Sequence, residues 1–294
     1  MERGSSITEQ QLDLTSDEVT RFWNLITLEC RPENRTYRYN FLYNNCSTKA
    51  RDVLYKSLDT PVSIARTDSV SFRSVLHRFN SAYPWTSFGI DLLLGVKADQ
   101  PVAHDLQEFA PLSLEDSFSK ATRNGGKSFV AGITVIQSPV DMKGGRHFTL
   151  TPVQTMILVL LITAIICTLE LLTMKRQWWY DVVIYSLQGI TGIVVAFLFF
   201  FSTHPTVDSN VLVIVLNPLI FVLLPFILRQ SRRHTFPWAA WVEMGLIVLL
   251  AVLWLFVQQD IPIAAWIFIA ALFLRTGHLI LTRRKKTMPI RVKC

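Results

Sequence analysis

This 294-residue chain has no metal-ligand spacing, no phosphate-binding loop, no acidic metal cluster and no internal repeat. Its four cysteines stand at 30, 46, 167 and 294, too scattered for a zinc site or a dense disulfide framework. Cleavable-leader character is missing too: Met1-Glu2-Arg3-Gly4 runs straight into polar residues. What is abundant is apolar length. Half of all residues are hydrophobic, and they crowd into 151–282, whereas residues 1–150 read as an ordinary soluble segment. That split predicts two units, 1–150 and a membrane bundle over 151–282, followed by a basic tail, 283–294. The formal net charge of +7 sits largely in short basic clusters beside apolar runs. It reads as a topology signal rather than a nucleic-acid surface, so no nucleic-acid partner is expected.

Candidate spans cover about 152–172, 179–201, 209–228, 237–257 and 261–282. Each has roughly 20 residues, enough for a hydrocarbon core of ~30 Å. Lys175 and Arg176 follow the first, Arg229 to His234 the third, and Arg283 to Lys286 the fifth. The loops 202–208 and 258–260 carry no Lys or Arg. This alternation predicts cytoplasmic basic loops, a cytoplasmic C-terminus and an N-terminal half outside. Cys167 lies within a run and reads as a small membrane hydrophobe. Glu243 and Arg275 fall at similar depth in the fourth and fifth spans, so they are expected to pair, with His278 sharing the face of Arg275. The pair serves as a structural clamp or as the polar floor of a lipid cavity. Asn217-Pro218 and Pro225 predict a bend in the third span, with Asn217 partnered inside the bundle. His204, Asp208 and Asn210 form a polar group before it, with Asp208 or Ser209 as the expected cap.

In the first half, Thr15 or Ser16 is the expected cap of a helix carrying Val19, Phe22, Trp23 and Ile26, with Glu18 at the reciprocal position. That helix is expected to end near Cys30. Tyr37, Tyr39, Phe41 and Tyr43 alternate with Arg38, Asn40 and Leu42, predicting an extended segment. From Ser47 the pattern turns helical through Ala50, Val53, Leu54 and Leu58, placing Cys46 at a helix start. Unpaired amides and the helix dipole stabilise a thiolate there, which makes Cys46 a candidate nucleophile. A purely structural cysteine is the competing reading. Further on, a helix is expected after Arg66-Thr67-Asp68, a turn at Tyr83-Pro84-Trp85 and another at Asn124-Gly125-Gly126, and a strand at Phe129–Ile136. Gly144-Gly145-Arg146 falls in the linker.

The run Arg31-Pro32-Glu33-Asn34-Arg35, then Asn44-Asn45-Cys46-Ser47-Thr48 and Arg51-Asp52, resembles the Lnb family of bacterial lipoprotein N-acyltransferases. Gly95 to Asp99, the Phe129–Ile136 strand, and Ser202-Thr203-His204-Pro205 with Asn210, Asn217 and Pro218 extend the resemblance over most of the chain. It implies an α+β papain-like periplasmic domain, truncated at its N-terminus, followed by an all-α five-helix transmembrane bundle in the inner membrane. It implies Cys46 as nucleophile, with Asn44, Asn45, Ser47, Asp99 and His204 in support. Asn210, Asn217, Glu243 and Arg275 are the polar membrane residues. No cofactor and no metal are implied. The implied partners are a phospholipid acyl donor, a diacylglyceryl lipoprotein acceptor and the bilayer. Cys46 would attack a phospholipid ester, and the lipoprotein amine would then attack the thioester. The family's base is a histidine in strands that precede the helix beginning near Leu14. Here the chain opens at Met1, so that histidine is expected to be missing; His77, His104 and His147 lack its context, and His204 is the alternative. Two other functions compete: a thiol hydrolase, peptidase or phospholipase, and an inactive truncated membrane-anchored binding module.

Overall fold

A computed structural model describes residues 6–64, 70–123, 125–137, 149–204, 206–233 and 235–282. Arg66-Thr67-Asp68, Asn124, Gly144-Gly145-Arg146, His147, Pro205, His234 and the basic tail lie outside the described residues. The chain forms two compact units, 1–79 with 100–148, and 80–99 with 149–294. The division expected near residue 150 is therefore crossed by one segment, Asn80–Asp99, which belongs with the membrane helices. In chain order the elements are β1 (Ile7–Leu12), α1 (Ser16–Glu29), α2 (Cys46–Ser57), β2 (Ser63–Ile64), β3 (Val70–Ser71) and α3 (Phe72–Asn80). Next come α4 (Pro84–Leu93), β4 (Pro101–Val102), α5 (His104–Gln107), α6 (Pro111–Lys120), β5 (Ala121–Arg123), β6 (Lys127–Ser128) and β7 (Val130–Gln137). The long helices are α7 (Pro152–Thr173), α8 (Trp178–Phe201), α9 (Ile220–Arg233), α10 (Trp238–Val257) and α11 (Ile263–Leu281).

The first unit is mixed α/β. β1 pairs antiparallel with β7, β5 joins β2 and β6, and β3 pairs with β4. Leu54 of α2 packs with Phe118, Ala121, Phe129 and Val130 to form its core. α1 starts as its sequence requires. Thr15 Oγ1 accepts the Glu18 N–H at 3.3 Å, and Glu18 Oε2 accepts the Thr15 N–H at 2.8 Å. The same carboxylate accepts the Asp59 N–H at 3.0 Å and a guanidinium N–H of Arg123 at 2.9 Å, with 0% of Glu18 exposed. One side chain thus ties α1 to the end of α2 and to β5. Burial alone raises the pKa of Glu18, but the Arg123 bond and the two backbone donors outweigh it and hold it at about 2. A depressed folded-state pKa stabilises above the unfolded value, near 4.5, and is lost as pH falls toward 2. Acid unfolding of this unit, followed by circular dichroism between pH 5 and 2, should therefore show a pH-dependent loss that Glu18→Gln flattens.

Among the described residues, the second unit holds four helices long and apolar enough to span a membrane, α7, α8, α10 and α11, of 22, 24, 20 and 19 residues. At 1.5 Å per residue they run ~28–36 Å. The expected third span is not a continuous helix. Asn210 caps a short 3-10 turn, Val211–Ile214, the chain breaks at Asn217-Pro218, and α9 follows. The cause is local. Pro218 has no amide to donate, and Asn217 takes over the neighbouring backbone, its Oδ1 accepting the Leu219 N–H at 3.0 Å and its Nδ2 donating to the Ile214 carbonyl at 2.6 Å. The broken segment still runs from one end of the bundle to the other. Asn210 bonds Gln259 beyond α10, while Gln230 accepts the Ala239 N–H at the start of α10. Gly192 of α8 makes the break fit, because a Cβ there would lie 2.5 Å from the Asn217 nitrogen.

Asn80–Asp99 seats on this bundle through apolar and polar contacts. Phe88, Leu92 and Leu93 of α4 join the bundle core. Tyr83-Pro84-Trp85, expected as a turn, is instead the start of α4, because Pro84 suits the first helical turn. After α4, the Gly95 N–H donates to the Thr206 carbonyl at 2.7 Å, and Lys97 pairs with Asp208 at 2.7 Å. A Cβ on Gly95 would lie 2.4 Å from the Ser209 carbonyl carbon, so only glycine fits this approach.

Candidate functional site

The site begins with a tight turn. Asn40 Oδ1 accepts the amides of Leu42 and Tyr43 at 3.1 and 3.2 Å, and Asn40 and Asn44 exchange backbone hydrogen bonds. Asn44 Nδ2 donates to the Arg38 carbonyl at 3.1 Å. The extended aromatic segment expected here is therefore folded back, because Asn40 competes for its own backbone. Asn45 follows, 4% exposed, and all its polar atoms are used. Its Oδ1 accepts the amides of Ser47 and Thr48 at 2.8 and 3.0 Å. Its Nδ2 donates to the carbonyls of Phe41 and Phe109 at 2.7 and 2.8 Å. Thr48 returns the cap, its Oγ1 accepting the Asn45 N–H at 2.8 Å. α2 thus begins at Cys46, one residue earlier than its apolar pattern indicates.

Asn45, Ser47 and Thr48 are buried, whereas Cys46 is exposed and free. Asn45 already occupies the amides of Ser47 and Thr48, so of the first-turn amides expected to be unpaired beside the sulfur, these two are not. Asn45→Ala removes the cap and leaves the Phe41 and Phe109 carbonyls without their donor. The expected cost is about 2–4 kcal/mol, read as a lower thermal midpoint of the whole chain in detergent.

Arg51 fixes the rest of α2. It binds Asp52 at 2.7 Å and Glu108 at 3.3 Å, and it donates to the Asp105 carbonyl. Burial raises the pKa of Glu108 against the pull of Arg51. α1 lies antiparallel to α2: Arg21 donates to the Ser57 carbonyl at 2.9 Å near one end, and Glu29 pairs with Lys49 at 3.0 Å near the other. A groove of about 380 Å³ runs between them. Phe22, Ile26, Tyr37, Ala50 and Val53 give it apolar walls, and Cys46, Lys49, Glu29 and Arg35 are its reactive and charged members. That volume is typical of a small-ligand pocket, ~300–1,000 Å³. Cys30 lines the same groove as a second exposed thiol. In the sequence it marked only a helix end, and nothing in its spacing from Cys46 announced the shared groove. None of the groove's lining residues is a histidine. His77 lies on α3 and His104 in α5.

The other expected site residues fall in the second unit. Asp99 accepts the Asp260 N–H at 3.1 Å. His204 lies between α8 and the 3-10 turn, its N–H donating to Ser202 Oγ at 3.1 Å. Asn210, rather than Asp208 or Ser209, is the cap of the broken span; its Nδ2 donates to the Leu92 carbonyl at 2.7 Å, and its Oδ1 accepts from Gln259 at 2.9 Å. The structure does not bring Cys46, Asp99 and His204 into one unit.

The pairing of Glu243 with Arg275 is overturned. Arg275, fully buried, binds Asp181 at 2.6 Å and Glu170 at 2.8 Å. Glu170 also takes Arg176 at 2.7 Å and His278 at 2.9 Å, so His278 does share the neighbourhood of Arg275. Glu243 instead accepts from Gln188 Nε2 at 2.7 Å, and that nitrogen also donates to the Val215 carbonyl at 2.7 Å, near the break in the third span. Equal depth in the bundle did not decide the partner. Asp181 and Glu170, at the ends of α8 and α7, reach Arg275 first, and both were overlooked in the sequence despite lying within apolar spans.

Comparison with known proteins gives two matches. Residues 2–78 match the Lnb N-terminal periplasmic domain, and residues 144–287 match the Lnb transmembrane domain. Neither a curated protein nor a solved structure matches the chain. An exposed thiol over an apolar groove in one unit, and a polar-stitched apolar bundle in the other, thus stand on the two parts of an Lnb-family protein: an N-terminal periplasmic domain and a transmembrane domain.

Proposed function

We propose that this chain is a membrane-bound cysteine acyltransferase that moves an acyl chain from a phospholipid to the N-terminal amine of a diacylglyceryl lipoprotein. The observation that carries the reading is the exposed Cys46 thiol at the first turn of α2, opening on an apolar groove in an Lnb-type periplasmic domain. The Cys46 thiolate attacks the ester carbonyl. The ester C–O bond breaks, and lysophospholipid leaves with the proton given up by the thiol. The lipoprotein amine then attacks the thioester carbonyl, the C–S bond breaks, and one amine proton returns to sulfur. The first-turn dipole and the Cys46 N–H favour the developing oxyanion. The groove walls take up the acyl chain. In this reading α2 is the nucleophile helix of a papain-like domain. The basic loops face the cytoplasm, and the broken segment completes a five-crossing bundle.

The experiment is direct. Full-length protein is incubated with phospholipid, and the peptide bearing Cys46 is examined by mass spectrometry. An acyl adduct that hydroxylamine removes, and that passes to the amine of a diacylglyceryl peptide as an amide, is the expected result. Free fatty acid without amide would make the chain a thiol hydrolase. No adduct on Cys46 overturns the assignment.

A further inference from the structure

The aromatic stretch before Cys46 has no part in the bond-making steps. Between α1 and the Asn40–Asn44 turn the chain forms no regular element, yet it is held in place. Asn34 Nδ2 donates to the Leu28 carbonyl at 3.0 Å, Asn44 Nδ2 donates to the Arg38 carbonyl, and Leu42 is buried. From this fixed backbone Tyr37, Tyr39, Phe41 and Tyr43 stand 39, 55, 46 and 41% exposed. Arg31 and Arg35 precede them and Arg38 lies between Tyr37 and Tyr39; all three are exposed, and among the described residues none forms an ion pair. Glu33 is the one acidic residue from 31 to 43.

Rings and guanidinium groups presented together are what settles at the headgroup level of a bilayer, the rings among glycerol and carbonyl groups and the arginines on phosphate. The occupant follows from the chain itself. It carries helices long and apolar enough to span a membrane and passes three times between its two units, so this unit is tethered to whatever bilayer those helices enter. The basic excess of the stretch complements anionic headgroups. We propose that Arg31–Tyr43 is a membrane-surface docking loop for anionic phospholipid. Arg35 and Tyr37 belong both to this loop and to the groove of Cys46. The proposal deepens the acyl-transfer reading by naming where the lipid donor is met, although docking itself needs no reaction at sulfur.

The test uses full-length protein in nanodiscs of phosphatidylglycerol with phosphatidylcholine, or of phosphatidylcholine alone. Amide hydrogen exchange is followed in peptides covering 31–45. Exchange slows in the anionic discs, and raising the salt reverses the slowing. Each surface arginine contributes roughly a fivefold factor, so Arg31→Ala, Arg35→Ala and Arg38→Ala together weaken attachment on the order of a hundredfold. Tyr39→Ser, a surface change only, weakens it less. Cys46→Ser keeps the protection, which separates a failure of docking from a failure of acyl transfer. Equal exchange in the two kinds of disc overturns the proposal. So does slowing that appears only when a diacylglyceryl peptide is added, because the loop would then be a protein-binding surface.

Discussion

Under the proposed acyl-transfer chemistry, a Cys46→Ser chain should fold and insert as its parent does and lose N-acylation by about 10⁴-fold, the scale seen when a catalytic group of a nucleophile–base pair is removed. Stability should hold because the side chain is exposed and serine is well suited to a helix's first turn. The cap is made by Asn45 and Thr48, which the change leaves intact. Activity should fall because the hydroxyl has no appreciable anion at neutral pH and its ester, once formed, is a far poorer acyl donor to an amine than a thioester. Cys30 supplies the internal control. It lines the same groove with an exposed thiol, so Cys30→Ser should keep most activity and the Cys46 adduct. If the two variants exchange behaviours, Cys30 is the nucleophile. If neither loses activity, the assignment of Cys46 as nucleophile is overturned.

The second large effect is in the bundle. Arg275→Ala is expected to cost about 3–5 kcal/mol, because it strands the buried Asp181 without its cation and takes one partner from Glu170, which keeps Arg176 and His278. Thermal midpoint in detergent and the amount of inserted protein both report the loss. Arg275→Lys should recover only part of it, since one ammonium cannot span two carboxylates as the guanidinium fork does. The informative variant combines Arg275→Met with Asp181→Asn and Glu170→Gln. If the damage comes from stranded charge, the triple change is more stable than Arg275→Ala alone. If Arg275 matters through its bulk, Arg275→Met by itself repairs most of the loss.

Much of this was legible in advance, and the reasons differ from element to element. Thr15 and Glu18 marked the start of α1 because a capping box is a local agreement between residues three apart. The four long spans were legible because apolar length alone decides them. Cys46 was placed at a helix start by the stripe through Val53 and Leu54, and Asn45 supplied the cap. The errors arose where a distant partner or a competing side chain decides. Asn217 and Pro218 announced a bend, but the extent of the break depends on Asn217 capturing backbone groups on both sides. Arg275 pairs with Asp181 of α8 and Glu170 of α7 rather than with Glu243 of α10, a choice of neighbour that hydropathy does not encode. Cys30 met Cys46 in one groove because α1 and α2 pack antiparallel, a pairing visible only once Arg21 is seen at Ser57.

The seating of α4 changes how the water-facing half can be handled. Cutting the gene at residue 148 would release a fragment that still carries Phe88, Leu92 and Leu93 with nothing to cover them, and such a fragment should clump. Excising 80–99 and joining Phe79 to Gln100 with a short flexible linker removes the sticky helix. It also takes out Gly95 and Lys97, whose contacts lie wholly among the membrane helices and their loops. What looks on the page like one continuous soluble stretch is, for preparative purposes, a domain with a membrane part threaded through its middle.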